Sequence, residues 1–199
     1  MKLIEETNVP DDVLPLERFK AHLRLGTALG ETEVQDEILL GFLRAAMAAV
    51  EARCGKVLVT RSFTLCLSRW HDREGQVLPV APVNAIEAVR MITGAGVETE
   101  LPLANFRLEQ DSQRPRLRPT TLVLPMIPTG GSVQVRFTAG YGDAWQALPA
   151  DLTQAVLLLA SHYFEYRDEM SLSEGCMPFG VSSLVQRYRP MRLSPGART

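Results

Sequence analysis

A chain of 199 residues with 46% hydrophobic and 22% charged side chains has apolar material for one globular domain, or one domain carrying an insertion, which excludes a disordered tail. Twenty-one Lys and Arg against twenty-three Asp and Glu leave a net charge of −2, so no global field draws the whole chain to nucleic acid or anionic lipid. Apolar runs such as Ala155–Ala160 fall far short of the roughly 18 residues that span a bilayer; Met1–Val9 lacks a signal pattern, and Cys54, Cys66 and Cys176 are widely spaced, so the chain reads as cytosolic and reduced.

Pro15 suits a first helical turn, and Leu16, Phe19 and Leu23 recur at i, i+3 and i+7, which predicts a short helix near 16–25 ending at Gly26. Thr32 with Gln35 forms a capping-box pattern, and Glu33, Asp36 and Glu37 complement the positive end of a helix dipole. The spacing of Ile38, Leu39, Phe42, Leu43, Ala46, Ala49 and Val50 then predicts a long helix over 33–54, with Gly55 beyond its end. Ala45, Ala46, Ala48, Ala49 and Ala52 make it smooth enough for another helix to approach closely.

After Gly55 the period changes to 2, with Phe63, Leu65 and Leu67 alternating with Thr64, Cys66 and Ser68. Further extended pieces are expected at Leu78–Pro82, Ile86–Ile92, Asn105–Glu109 and Thr121–Leu124, with a hairpin turn at Thr93–Gly96. Val133, Val135 and Phe137 make the clearest strand, and the stretch of about 57–139 reads as a small antiparallel β module. Helical spacing returns after Pro149 in Leu152, Ala155, Val156, Leu159, Tyr163 and Tyr166, predicting a helix near 150–168.

The expected fold class is therefore α+β. Residues 1–56 and 140–176 form a mainly helical core, 57–139 an inserted β module, and 177–199 an extended C-terminal docking arm. Met177–Val181 is apolar and turn-prone, and Leu184, Val185, Tyr188 and Met191 lie among arginines, a composition suited to docking in a groove. Packing back on the chain's own helices is the alternative for 177–188. The two ends differ in charge: residues 1–40 hold nine acids and four bases, while from Gly175 onward there are four arginines and no acid.

Motifs of catalysis are absent. His22, His71 and His162 form no local metal pair with the cysteines. Ala139-Gly140-Tyr141-Gly142-Asp143 lacks the spacing of a phosphate loop and reads as a turn from strand to helix. Ser161, Ser171 and Ser173 have no motif linking them to a base, and Glu165 with Glu169 is a pair that an exposed helix face ordinarily solvates. No catalytic residue, metal ligand or cofactor is assigned. The competing reading is a small cytosolic enzyme with a pocket between helices and β module, near Tyr141, Asp143 or His162; a third is a nucleic-acid-binding module using the basic tail, which lacks an aromatic-basic stripe.

The pieces Phe19-Lys20-Ala21-His22-Leu23-Arg24, Glu51-Ala52-Arg53-Cys54-Gly55-Lys56, Phe137-Thr138-Ala139-Gly140-Tyr141-Gly142, Leu148-Pro149-Ala150-Asp151-Leu152 with Ala155-Val156-Leu157-Leu158-Leu159, Tyr163-Phe164-Glu165-Tyr166-Arg167, and Pro178-Phe179-Gly180-Val181 with Tyr188-Arg189 follow one another along the chain. In this order they resemble the phage gp6-like head-tail connector family, also called head-completion or adaptor proteins. The inserted module is similar to longer members, including the adaptors of tailed phages and of phage-derived gene transfer agents.

The resemblance implies a structural protein of the particle neck, assembled in the bacterial cytoplasm. It implies a ring of identical subunits, twelve expected, attached to the portal protein and extending the DNA channel towards a head-closure, stopper or tail protein. DNA would pass without sequence-specific binding, and no membrane is involved. A ring needs two unlike faces on each subunit, for which the resemblance and the charge asymmetry suggest Glu31, Glu33, Asp36 and Arg167 as ring contacts. Carried over by position, Phe179, Leu184, Val185, Tyr188, Arg189, Met191 and Arg192 are the expected portal-binding residues.

Overall fold

The computed structural model describes residues 1–24, 33–167 and 177–189. The chain opens with a four-residue strand, β1 (Lys2–Glu5), and reaches α1 (Leu16–His22) through a single 3-10 turn. Helix α1 buries Phe19 against α2 (Glu33–Cys54), whose Leu39, Leu43, Ala46 and Val50 form the inward stripe set by helical spacing. Helix α3 (Ala150–Glu165) answers with Leu152, Ala155, Val156 and Leu159, all buried. Helix α4 (Phe179–Val185) packs on α3, and Val181 and Val185 complete the helical core.

Between α2 and α3 come seven strands: β2 (Arg61–Leu67), β3 (Gln76–Val77), β4 (Val83–Ile92), β5 (Glu98–Leu101), β6 (Phe106–Glu109), β7 (Arg116–Pro119) and β8 (Ser132–Ala139). One antiparallel sheet has the order β1-β2-β8-β4-β5 and a smaller one the order β3-β7-β6. Register places Phe63 opposite Phe137, Leu65 opposite Val135 and Leu67 opposite Val133, so alternate side chains share one buried face. The Phe63 and Phe137 rings stack at 5.8 Å. Leu78, Phe106, Leu117 and Leu124 close that face from the smaller sheet and its loops.

The protein is thus α+β, and where a mainly helical core was expected the β module brings a second core of its own. A sheet with one apolar face must be covered, and here the second sheet does it. Four local expectations also change, the first being Leu78–Pro82, which bends beyond the short strand β3. Strand β1 went unread because four residues with only Leu3 turned partly inward carry no periodicity; pairing with β2 makes it a strand. Thr121–Leu124 is an irregular loop, and the strand lies earlier, at β7 between Pro115 and Pro119. Residues 177–188 are folded, because Val181, Val185 and Tyr188 find on their own chain the apolar groove that such anchors require.

The two cores join at a waist where outgoing and returning chain lie side by side. The Tyr141 N–H donates to the Leu58 carbonyl at 2.8 Å, and the Thr60 N–H to the Gly142 carbonyl at 2.9 Å. Gly140 has φ +146°, and a Cβ there would stand 2.4 Å from the Thr60 Cα, so only glycine permits the approach. Beside it Arg61, almost fully buried, donates to Glu5 Oε1 and to Glu51 Oε1, each at 2.6 Å. Glu51 also accepts the Leu58 N–H at 2.7 Å, tying α2 to the start of β2. Burial pushes the Glu51 carboxyl above its ordinary range, against the opposing pull of Arg61.

Candidate functional site

The last described turn is fastened to the first turn of α3. Asp151 opens that helix, where an acid complements the dipole, and its carboxylate also accepts the Tyr188 hydroxyl at 2.6 Å. Arg187 Nε lies 2.8 Å from the other carboxylate oxygen, and Arg187 Nη2 donates to the Tyr188 hydroxyl at 2.6 Å. The Tyr188 ring meets Tyr141 edge to face at 6.4 Å. Burial first, then the Asp151 carboxylate, raise the Tyr188 hydroxyl above its ordinary value. Burial likewise pushes Tyr141 up to about 12. This clasp went unread because its partners stand far apart in the chain.

The expected portal-binding residues therefore separate into three groups. Val185 and Tyr188 are buried in the helical core and Leu184 packs on it. Phe179 is 89% exposed at the start of α4, and Arg189 is exposed just beyond the clasp. Met191 and Arg192 lie outside the described residues. Of the expected ring contacts, Glu31 also lies outside them, and Glu33 opens α2. Asp36 pairs within the chain with Lys20 at 2.8 Å. Arg167, exposed just past α3, stands over the Phe164 ring at 4.9 Å.

A cleft of about 570 Å³ does open between the helices and the β module, but it is lined from α2, β1, β2 and Pro79–Val80. Tyr141, Asp143 and His162 do not line it. Tyr141 belongs to the waist, whereas His162 lies on α3 eleven residues beyond the clasped Asp151, roughly 16 Å along the helix axis. His162 Nε2 is buried without a hydrogen-bond partner among the described residues, and its ring meets Tyr166 at 4.6 Å. Among the described residues no three His, Cys, Asp or Glu side chains are grouped to hold a metal, and no helix is long and apolar enough to cross a membrane. Cys54 is buried beside the Val185 carbonyl, and burial raises its thiol to about 11, the opposite of an activated nucleophile. Glu51, ion-paired with Arg61, and Asp151, ion-paired with Arg187 and hydrogen-bonded to Tyr188, join parts of the chain to one another.

No protein-family model and no curated protein matches the chain. Solved structures do. A chain in the neck of an empty gene transfer agent (GTA) particle, computed with C6 symmetry, is 47% identical, with 98% of this chain and 99% of that one covered and a TM-score of 0.89. A chain in the neck of a native GTA particle, computed with C12 symmetry, is 45% identical over 98% of this chain and 99% of that one, with a TM-score of 0.84. A chain in the virion of a native GTA particle is 46% identical over the same shares, with a TM-score of 0.86.

Proposed function

The chain belongs to the head-tail connector family of gene transfer agent necks, and from that premise we propose that its copies form a ring on the portal, extend the DNA channel and hold the closure or tail protein beyond it. Its place in the particle is the neck, and its role there is structural. The near-complete match to neck chains in particles of cyclic symmetry carries the reading. A ring of identical subunits uses heterologous contacts, one face of each copy meeting a different face of the next.

The portal contact is assigned to the exposed side of the C-terminal segment, Phe179 and Arg189 with Met191 and Arg192 beyond. Val185, Tyr188 and Leu184 act behind them by fixing where that segment leaves the body. A single C-terminal segment binds weakly, and a ring that presents many of them at once binds tightly. Glu31, Glu33, Asp36 and Arg167 remain the candidate ring contacts, and DNA passes without sequence-specific adhesion.

Deletion of residues 190–199 tests the portal contact, because the cut falls after the buried Tyr188 and spares the clasp. The truncated protein is expected to keep the melting temperature of the full chain and to be lost from pull-downs of portal-bearing heads. Attachment at full strength overturns the role of the arm.

A further inference from the structure

At the end of the β module farthest from the waist, one uncharged loop projects apolar side chains beside the charged loop 68–75. Strand β2 leaves the waist at Arg61 and reaches the far end at Leu67, which faces Val133, while Ile92 faces Ser132. The loops 68–75, 93–97 and 120–131 therefore gather at this end, and the β1–β2 register, with Lys2 opposite Cys66, adds Met1. Leu122 is 91% and Met126 78% exposed there, alongside exposed Val97 and Val123. Between Arg118 and Arg136 the sequence carries no charge at all.

This loop is held, not loose. Leu124 is buried and its N–H donates to the Arg73 carbonyl at 2.7 Å; Trp70 Nε1 donates to the Pro125 carbonyl at 2.7 Å; Ile127 packs on the β core. Leu122 and Met126 are thereby presented outward from fixed neighbours. An exposed apolar projection of this kind marks a contact surface, and methionine adapts its shape to a partner.

The same chain carries a recess whose lining mixes apolar residues with the charged Glu5, Arg44, Glu51, Lys56 and Arg61. In the cleft between α2 and β1–β2, Met47, Val57 and Phe63 are buried among the lining residues, and Ala48 and Ala52 present small side chains where an outward helix face is ordinarily charged. The cleft's cations are already satisfied within the chain: Arg44 by the Val9 carbonyl and Asp11, Arg61 by Glu5 and Glu51, Lys56 by the Ser112 carbonyl and Gln113. A visitor here needs no charge. A chain cannot serve its own cleft, because Phe63 in the cleft and Leu67 at the tip are four strand residues apart, roughly 13 Å, and the loop is pinned at Leu124 and Pro125.

We propose that Leu122 and Met126 of one copy seat in the α2–β1 cleft of the next copy, forming a lateral contact of the ring. The inference rests on the ring reading above. It names a second copy as occupant because cyclic symmetry obliges each subunit to offer two unlike surfaces that fit each other. The uncharged projection and the internally neutralised recess satisfy that requirement on one chain.

A photo-cross-linking phenylalanine placed at Met126 in assembled particles tests it, with the adduct mapped by mass spectrometry. Capture of the same protein within residues 44–57 is the expected result. Capture of another neck protein, of a different part of this chain, or of nothing overturns it. Met126→Asp, at an exposed position, is expected to leave the melting temperature unchanged and to lower incorporation into necks by about tenfold or more; normal incorporation overturns the contact. If Met126 cross-links elsewhere in particles that still carry this chain as a ring, this contact falls and the ring stands. If the chain enters necks without forming a ring, the ring reading itself falls.

Discussion

The two halves of this protein are closed in different ways. The β half is built from one continuous stretch, 57–139, with β1, among the described residues, as the strand added from outside. The helical half is assembled mostly from residues on both sides of that stretch, from Val9 to Cys54 and from Trp145 to Tyr188, joined by Leu58 and Val59 at its entry. A continuous piece closes through short loops, whereas the helical half must wait for the module to bring its two pieces together, and long loop closure is slow rather than costly. The helical core is therefore completed by the end of the chain, so the segment suited by composition to be an arm is in part a structural wall.

The strongest way to break this comparison is to remove that wall. Deleting 177–199 takes away the buried Val181, Val185 and Tyr188, each worth roughly 1.5–3 kcal/mol, and is expected to cost the helical half about 5 kcal/mol or more. Amide exchange should rise in α2 and α3 while β2, β4 and β8 stay protected. Equal loss of protection in both halves would show that they do not differ.

Gly140→Ala strikes the join. A Cβ 2.4 Å from the Thr60 Cα forces outgoing and returning chain apart, at an expected cost of about 3 kcal/mol. Thermal unfolding followed separately by aromatic and backbone signals should show both halves destabilised together. Loss confined to one half would mean that the waist does not couple them.

Alkaline pH gives the smallest and most selective effect. Cys54 and Tyr141 pack in the helical half, with the thiol raised to about 11 from 9.0 and the phenol to about 12 from 10.0, in each case chiefly by burial. A group whose pKa is raised on folding stabilises fully below its unfolded pKa and loses that contribution as pH rises through the folded value. The helical half should weaken between pH 9 and 12. Cys54→Ala should remove the portion of the decline between about pH 9 and 11, roughly 1–3 kcal/mol, measured by denaturant unfolding across that range. An unchanged slope in the variant would contradict the assignment.

Much of the fold was legible before any coordinates. Helical spacing over Leu39, Leu43, Ala46 and Val50, and over Leu152, Val156 and Leu159, marked both long helices and their buried stripes. Alternation marked β2 and β8, and Thr93–Gly96 marked the β4–β5 turn. The order of short motifs along the whole chain pointed to the connector family. The candidate site was far less legible: Phe179 and Arg189 are exposed in the expected region, whereas Val185 and Tyr188 belong to the interior.

Composition and periodicity by themselves determined the two long helices, strands β2 and β8 and which of their faces are apolar, because these preferences act between residues a few positions apart. Tertiary structure alone decided that Lys2–Glu5 pairs with β2, that α4 folds inward, that Asp151 clasps Arg187 and Tyr188, and that Leu122 and Met126 stand out while Leu124 turns in. An apolar anchor looks the same in sequence whether its groove lies on its own chain or on another. Only the closure of the long insertion, which brings α3 back beside α2, determines which groove is within reach.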